Sequence, residues 1–202
     1  MNDRPARIIL ASTSPRRREL LEQIDIPYQT LAVQADETPR PNETPELYVR
    51  RVAAEKSLLG LELSGDCLPV LSADTEVELD GEVLGKPRDF EHAAAMLGQL
   101  SGRDHRVLSA ISLRQGSQHH WQALSVSVVT FRNIGADEIA AYWASGEPAD
   151  KAGGYAIQGL GVAFVKHLAG SFSGVMGLPL YETAELLRHV GIDVLKRRRA
   201  PI

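Results

Sequence analysis

Residues Ile8-Ile9-Leu10-Ala11 form an apolar run that passes, with no linker, into Ser12-Thr13-Ser14-Pro15. The run reads as a short buried strand. A hydroxyl residue followed by proline at the first helical position reads as a helix start. A strand feeding straight into a helix commits the chain to an α/β layer, because the helix must lie back on the sheet to bury its apolar side.

The remaining pattern keeps that alternation. Residues 45–63 carry Val49, Val52, Ala53, Leu59 and Leu63 at the three-and-four spacing of one helix face, with Lys56 inside the stripe. Residues 70–84 read as a β-hairpin, since Asp80-Gly81 is a two-residue turn signal between β-forming runs. A period of two in its first strand puts Leu71, Ala73, Thr75, Val77 and Leu79 on one face and Asp74, Glu76 and Glu78 on the other. Next come a helix over 90–100, strands over 105–113 and 123–131 joined by a polar loop at Gly116, and a short helix over 137–144. A glycine-rich stretch over 150–161 leads into a strand at 162–165, and a last helix spans 179–190. With no repeat or linker in sight, the expectation is a mixed α/β sheet flanked by helices, one domain over 1–202 with its core at about 8–190.

At 202 residues the chain is long enough to enclose a cleft. No apolar run approaches the roughly 18–20 residues that span a bilayer, and the start, Met-Asn-Asp-Arg-Pro, lacks a signal peptide's apolar segment. No membrane partner is expected, and the location is cytoplasmic. A net charge of −4 gives no overall attraction for nucleic acid. The single Cys67 excludes an internal disulfide and cannot alone make a zinc site. The basic run Lys196-Arg197-Arg198-Arg199 reads as part of a flexible, solvated tail over 196–202. The histidines show no metal-ligand spacing and receive no role.

Four features carry chemistry. Arg16, Arg17 and Arg18 crowd the first turn of a helix, where the macrodipole disfavours cations and an anion such as phosphate removes the conflict. The alternative is that the arginines face solvent and Glu19 offsets them. Asp74, on a polar strand face beside two more acids and followed by Lys86-Pro87, can hold a hard cation; carboxylates of an edge strand facing water look the same. Lys56, an ammonium in an apolar stripe, must snorkel out or meet an acid or anion. Its neighbours Arg51 and Glu55 read as a weak surface pair. In the glycine-rich stretch, paired glycines allow close backbone approach, and Gln158 offers the donor and acceptor that read a base edge. A plain loop has similar glycines. No P-loop and no G-x-S-x-G elbow is present.

Together these segments closely resemble the Maf family of nucleotide pyrophosphatases. The matching residues are Ala11-Ser12-Thr13-Ser14-Pro15-Arg16-Arg17, Ala54-Glu55-Lys56, Ser72-Ala73-Asp74-Thr75, Lys86-Pro87, the run from Glu147 through Lys151 to Gly153, Ile157-Gln158-Gly159-Leu160-Gly161, and Gly177-Leu178-Pro179-Leu180. The resemblance implies an elongated α/β fold with two lobes around a central cleft, similar to the inosine-triphosphate pyrophosphatase (Maf/Ham1) fold. It also implies a homodimer and a divalent metal, Mg²⁺ or Mn²⁺.

On that resemblance Asp74 is the proton acceptor, and Arg16, Thr75 and Gln158 are the specificity positions. Lys56 and Lys86 join Asp74 in catalysis, Ser14, Arg17 and Lys151 join the substrate site, and Asp74 with Glu37 holds the metal. Ala-Asp-Thr together with Ile-Gln-Gly is similar to the branch that hydrolyses dTTP and UTP to the monophosphate and pyrophosphate. The branch acting on 7-methyl-GTP carries other residues at those places. A nucleotide-binding regulator of septum formation is the reading from a different class. Glu76 departs from the family resemblance, in which relatives usually carry an aliphatic residue there.

Overall fold

The computed structural model describes residues 5–65 and 67–196. Strand β1 (Ile8–Leu10) is wholly buried and leads into α1 (Pro15–Gln23), which has proline at its start. Strand β2 (Tyr28–Thr30) and a loop precede α2 (Pro45–Ser64). Thr44 caps α2 by accepting from the Leu47 amide, and Gly65 ends it in the left-handed region at φ 69°.

The hairpin follows as β3 (Val70–Leu79) and β4 (Glu82–Leu84), turning through Asp80 and Gly81 at φ 55° and 90°, as a type I′ turn needs. Helix α3 (Phe90–Leu100) is capped by Asp89, whose Oδ1 accepts from His92 N at 2.8 Å. Strands β5 (Asp104–Gln115) and β6 (His119–Phe131) and helix α4 (Ala136–Ala144) come next. Three short 3₁₀ turns (Glu147–Asp150, Ala152–Gly154 and Leu160–Phe164) lead to β7 (Val165–Ala169), α5 (Phe172–Met176) and α6 (Leu180–Arg188).

The sheet order is β2-β1-β3-β5-β6-β7, with β1 parallel to β2 and β3 and the remaining pairs antiparallel. Strand β3 pairs with β5 from Val70 to Glu78 along one edge. Along its other edge β1 pairs with Val70 and Leu71, and β4 with Val77 to Leu79. Between them, residues 72–76 have no strand beside them among the described residues. This gap in the sheet is where the cleft opens.

Two apolar cores lie at opposite ends of the long strands. Leu71, Ala73, Ile111 and Leu113 pack with α1 and α6 residues such as Leu20, Leu21 and Leu187. Val77, Leu79, Val107, Val129 and Phe131 pack with Leu97 and Leu100 of α3 and Tyr142 of α4. Between the cores, on the same face, the sheet carries hydroxyls in register: Thr75 opposite Ser109, and Ser109 opposite Ser125. Two lobes thus share one set of strands across a polar band.

Three expectations need correction. The strand at 162–165 is instead the 3₁₀ turn Leu160–Phe164, with β7 starting at Val165. The apolar stripe of α2 is rotated: Ser57, Gly60 and Leu61 are buried while Leu63 is 65% exposed. The cause is Gly60, where a Cβ would lie 2.8 Å from Val70 Cγ1 and 2.9 Å from Ala11 Cβ, so glycine lets α2 sit close on the sheet. Arg51 is no weak surface partner of Glu55. It binds Glu43 at 2.6 and 2.9 Å and the carbonyls of Asp36 and Thr38 at 3.0 Å, fastening the loop before α2 to that helix. Glu55 is a secondary contact at 3.3 Å. Of the expected tail, Lys196 is exposed and pairs with Asp193 at 3.6 Å, and 197–202 lie outside the described residues.

Candidate active-site cleft

Each element that borders the gap contributes side chains to one cleft of about 380 Å³, within the roughly 300–1,000 Å³ range of small-molecule sites. The β1–α1 turn brings Ser12, Ser14, Arg16 and Arg17, and α2 brings Lys56. From β3 come Asp74, Thr75 and Glu76, and beyond β4 comes Lys86. The turns after α4 supply Lys151 and Gln158, and the loop before α2 supplies Glu37. Of the residues singled out for chemistry in the sequence, all but Arg18 are among those that line this cleft. Arg18 is exposed.

The pleat of β3 divides the walls by chemistry. Asp74 and Glu76 leave the strand toward α2, into a wall that holds Lys56, Glu37 and Lys86. Thr75 and Val77 leave the other way, toward Val107, Tyr155, Ile157, Val175 and Met176. One wall is charged and the other apolar, with Thr75 as a polar group of the second.

Asp74 is buried at 5% exposure, inside the sheet and not on an edge strand facing water. Its Oδ1 accepts from Lys56 Nζ at 2.8 Å, and Lys56 Nζ reaches Glu37 Oε1 at 2.6 Å. Lys56 therefore meets acids and does not snorkel. Asp74 Oδ2 and Glu76 Oε2 are buried without a hydrogen-bond partner. Burial pushes the Glu76 carboxyl up to about 8, with the charges of Asp74 and Glu37 adding to the shift. Burial raises Glu37 too, but the Lys56 hydrogen bond and the charges of Lys56, Lys86 and Arg17 outweigh it, and the net shift is downward. Glu78 turns away, bonding the Gly81 amide and pairing with Arg106 at 3.1 Å.

At the helix start, Ser12 Oγ accepts from the Ser14 amide and from Arg17 Nη1, each at 3.2 Å. Arg17 Nε donates to Gly177 O at 2.9 Å, joining α1 to the end of α5. Burial lowers the Arg17 pKa, and the Asp74 charge is the main opposing influence. Arg16 pairs with Asp150 at 3.7 Å, and Asp150 is also bonded to Lys151. The site thus sets a helix start bearing Arg16 and Arg17, an arrangement suited to an anion, beside a buried carboxylate and the further cations Lys56, Lys86 and Lys151.

Several positioning groups carry no local signal. Glu147 Oε1 accepts from Tyr142 Oη at 2.7 Å and from Gly161 N at 3.0 Å, and its Oε2 accepts from Leu160 N at 2.9 Å. Tyr142 Oη in turn accepts from Ala156 N at 3.1 Å. A Cβ at Gly159 would overlap the Glu147 carboxylate, so the loop carrying Gln158 is held from both sides. Thr75 Oγ1 is 2.7 Å from Ser109 Oγ, which donates to Gly174 O at 2.6 Å. Glu147 opens the matching run through Lys151 to Gly153, whereas Ser109, like Ser112, is a small hydroxyl in an otherwise apolar run.

Among the described residues no group of three or more His, Cys, Asp or Glu side chains forms a preformed metal cage. The donor set still suits a hard divalent ion: the unpartnered Asp74 Oδ2 is a buried carboxylate oxygen, and Mg²⁺ commonly takes one or two carboxylates and completes its shell with phosphate and water.

The fold has a solved counterpart in the nucleoside-triphosphatase / dITP/XTP pyrophosphatase of Mycobacterium abscessus. It matches at a TM-score of 0.50 and 17% identity over 91% of this chain and 97% of that one. Sheet, gap and cleft thereby define an α/β protein of the inosine-triphosphate pyrophosphatase fold. Residues 7–190 match the model of the Maf-like protein family, and the chain belongs to that family. It is 62% identical to the dTTP/UTP pyrophosphatase of Methylococcus capsulatus, with 94% of each chain covered. It is 50% identical to that of Escherichia coli O6:K15:H31, with 95% of this chain and 96% of the relative covered.

Proposed function

We propose that this chain hydrolyses dTTP and UTP between the α and β phosphates, giving the nucleoside monophosphate and pyrophosphate in a house-cleaning role. The observation that carries the reading is the buried, unpartnered Asp74 Oδ2 in a cleft lined by Arg16, Arg17, Lys56, Lys86 and Lys151. The relatives that share the chain almost end to end bear the name dTTP/UTP pyrophosphatase and support the substrate.

In this reading Asp74 takes a proton from the water that attacks the α-phosphorus. The new P–O bond forms as the bridging α–β bond breaks, and pyrophosphate leaves. Arg16, Arg17, Lys86 and Lys151 neutralise the triphosphate and its leaving group while the Ser14 hydroxyl hydrogen-bonds a phosphate oxygen, since positioning and electrostatics supply most of phosphoryl-transfer catalysis. Lys56 holds Asp74 in place, and Thr75 and Gln158 face the base. A divalent ion, Mg²⁺ or Mn²⁺, would be held by Asp74 and Glu37 and would supply Lewis-acid polarisation of the phosphate oxygens. A homodimer and a cytoplasmic location belong to the same proposal. Light scattering on the purified chain tests the dimer, and a monomer mass would remove it.

The deciding experiment incubates the protein with dTTP, UTP and 7-methyl-GTP plus Mg²⁺ and separates the products. Monophosphate and pyrophosphate from dTTP and UTP are expected. Nucleoside diphosphate and orthophosphate would overturn the assigned bond, and preference for 7-methyl-GTP would overturn the substrate. Asp74→Asn should lower kcat at least about 100-fold, in line with the loss of a general base.

A further inference from the structure

We infer that Ser109 is a positioning residue that fixes the Thr75 hydroxyl as a hydrogen-bond acceptor toward the cleft, selecting bases that present an N–H donor at pyrimidine position 3. The inference rests on the proposed reading that a pyrimidine nucleoside triphosphate occupies the cleft.

The argument is an accounting of protons. A hydroxyl has one proton and two lone pairs. Ser109 Oγ is 2.6 Å from the carbonyl oxygen of Gly174, which can only accept, so the Ser109 proton is committed there. That carbonyl is itself fixed, accepting from Gly177 N at 2.9 Å within the turn that ends α5. The 2.7 Å contact between Ser109 Oγ and Thr75 Oγ1 then needs a proton from the other side, and Thr75 must donate it. Ser109 is 1% exposed, so water does not compete for its oxygen. With its proton spent on Ser109, Thr75 Oγ1 has only a lone pair to offer a ligand.

Thr75 stands on the wall suited to a base. It leaves β3 on the face of Val77, away from Asp74 and Glu76, and that wall is lined by Val107, Ile157 and Met176. An acceptor set in apolar surroundings discriminates strongly, because a mismatched partner leaves both groups unpaired. Uracil and thymine carry N–H at position 3, whereas cytosine has a lone pair there. Two lone pairs facing across the site repel, and cytosine is disfavoured. The chain Gly174 O, Ser109, Thr75 therefore sorts bases by the direction of one proton, and that direction is set by Gly174 and Ser109, which stand behind the Thr75 hydroxyl.

The test compares kcat/KM for UTP and CTP at saturating Mg²⁺. Wild type should prefer UTP by roughly 10- to 100-fold, as expected for an unsatisfied polar contact. Ser109→Ala frees the Thr75 proton, so the UTP/CTP ratio should fall toward unity, chiefly through improved KM for CTP. A general loss of packing at Ser109 would lower both substrates alike and leave the ratio standing. Thr75→Val removes the hydroxyl at constant shape; the ratio should fall there too, and Ser109→Ala added to it should change the ratio no further. Equal use of UTP and CTP by wild type overturns the inference. So does an unchanged ratio in Ser109→Ala, or a further change when it is added to Thr75→Val. The proposed reaction fails separately, by absence of UMP and pyrophosphate from UTP with the wild-type protein.

Discussion

Lys56 and Asp74 are joined by a hydrogen bond of 2.8 Å that ties the middle of α2 to the middle of β3. The side chains are 12% and 7% exposed, so the pair is largely removed from solvent. Removing one partner of a buried pair leaves the other charge uncompensated, at a cost of about 3 kcal/mol. Lys56→Met should lower stability in urea unfolding by about that amount and reduce turnover at least tenfold. A variant within 0.5 kcal/mol of wild type, by this ~1 kcal/mol scale of ordinary effects, would show that the pair carries little.

Glu147 is tied to the cleft through the loop that bears Gln158, by its bonds to the Leu160 and Gly161 amides. Glu147→Ala removes the acceptor of two backbone amides and of the Tyr142 hydroxyl. Steady-state kinetics with UTP should show KM raised about tenfold, the equivalent of one lost hydrogen bond of ~1.4 kcal/mol, with a smaller change in kcat. Glu147→Gln should fall between the two, because an amide keeps one acceptor oxygen. Gly159→Ala should move KM in the same direction by pressing a methyl group against the same carboxylate.

His105 gives the fold an acid limit. Its Nε2 is 2.8 Å from Tyr155 Oη, its ring packs edge-on against Phe131, and burial lowers its pKa from 6.5 to about 4. The unfolded chain takes up the proton first, so the contribution is complete above about pH 6.5 and is lost as pH falls toward 4. The loss is on the order of 2–3 kcal/mol over that window, at ~1.4 kcal/mol per pH unit. Urea midpoints between pH 7 and 4.5 should fall less steeply for His105→Gln than for wild type. Parallel curves would assign the acid limit to other groups.

Gly60 sets the spacing between α2 and the sheet. Alanine there gains helix propensity of about 1 kcal/mol, yet its methyl must displace Val70 or Ala11. Overpacking of this kind costs roughly 1–3 kcal/mol. Gly60→Ala should therefore melt lower than wild type, and a higher Tm would show that the layer relaxes freely.

Local chemistry made much of the fold legible. The Asp80-Gly81 turn, the capped helix at Phe90–Leu100 and the strand-to-helix junction at Ser14-Pro15 are each determined by neighbouring residues. Strand β2 has only three residues, too few for a period of two to register. The turn at Leu160–Phe164 follows from Glu147, a side chain 13 residues earlier that takes the amides a strand would have offered to a neighbour. The site was legible in part for the same reason. Lys56 in an apolar stripe had either to snorkel out or to meet an acid or anion; it meets two acids, Asp74 and Glu37, which nothing local named. Arg51 was misread because its main partners lie in the loop before the helix and not on the helix itself.

Asp74 and Thr75 are consecutive residues on opposite faces of β3, and that adjacency limits how the chain can change. Inserting or deleting one residue between Ser72 and Val77 would turn the carboxylate into the apolar chamber and the hydroxyl into the charged one. The proton transfer and the base choice proposed for these residues would be lost together. Length at this place is therefore less tolerant than composition: side chains on either face can be exchanged one at a time to retune a substrate, but the count of residues across the opening cannot vary.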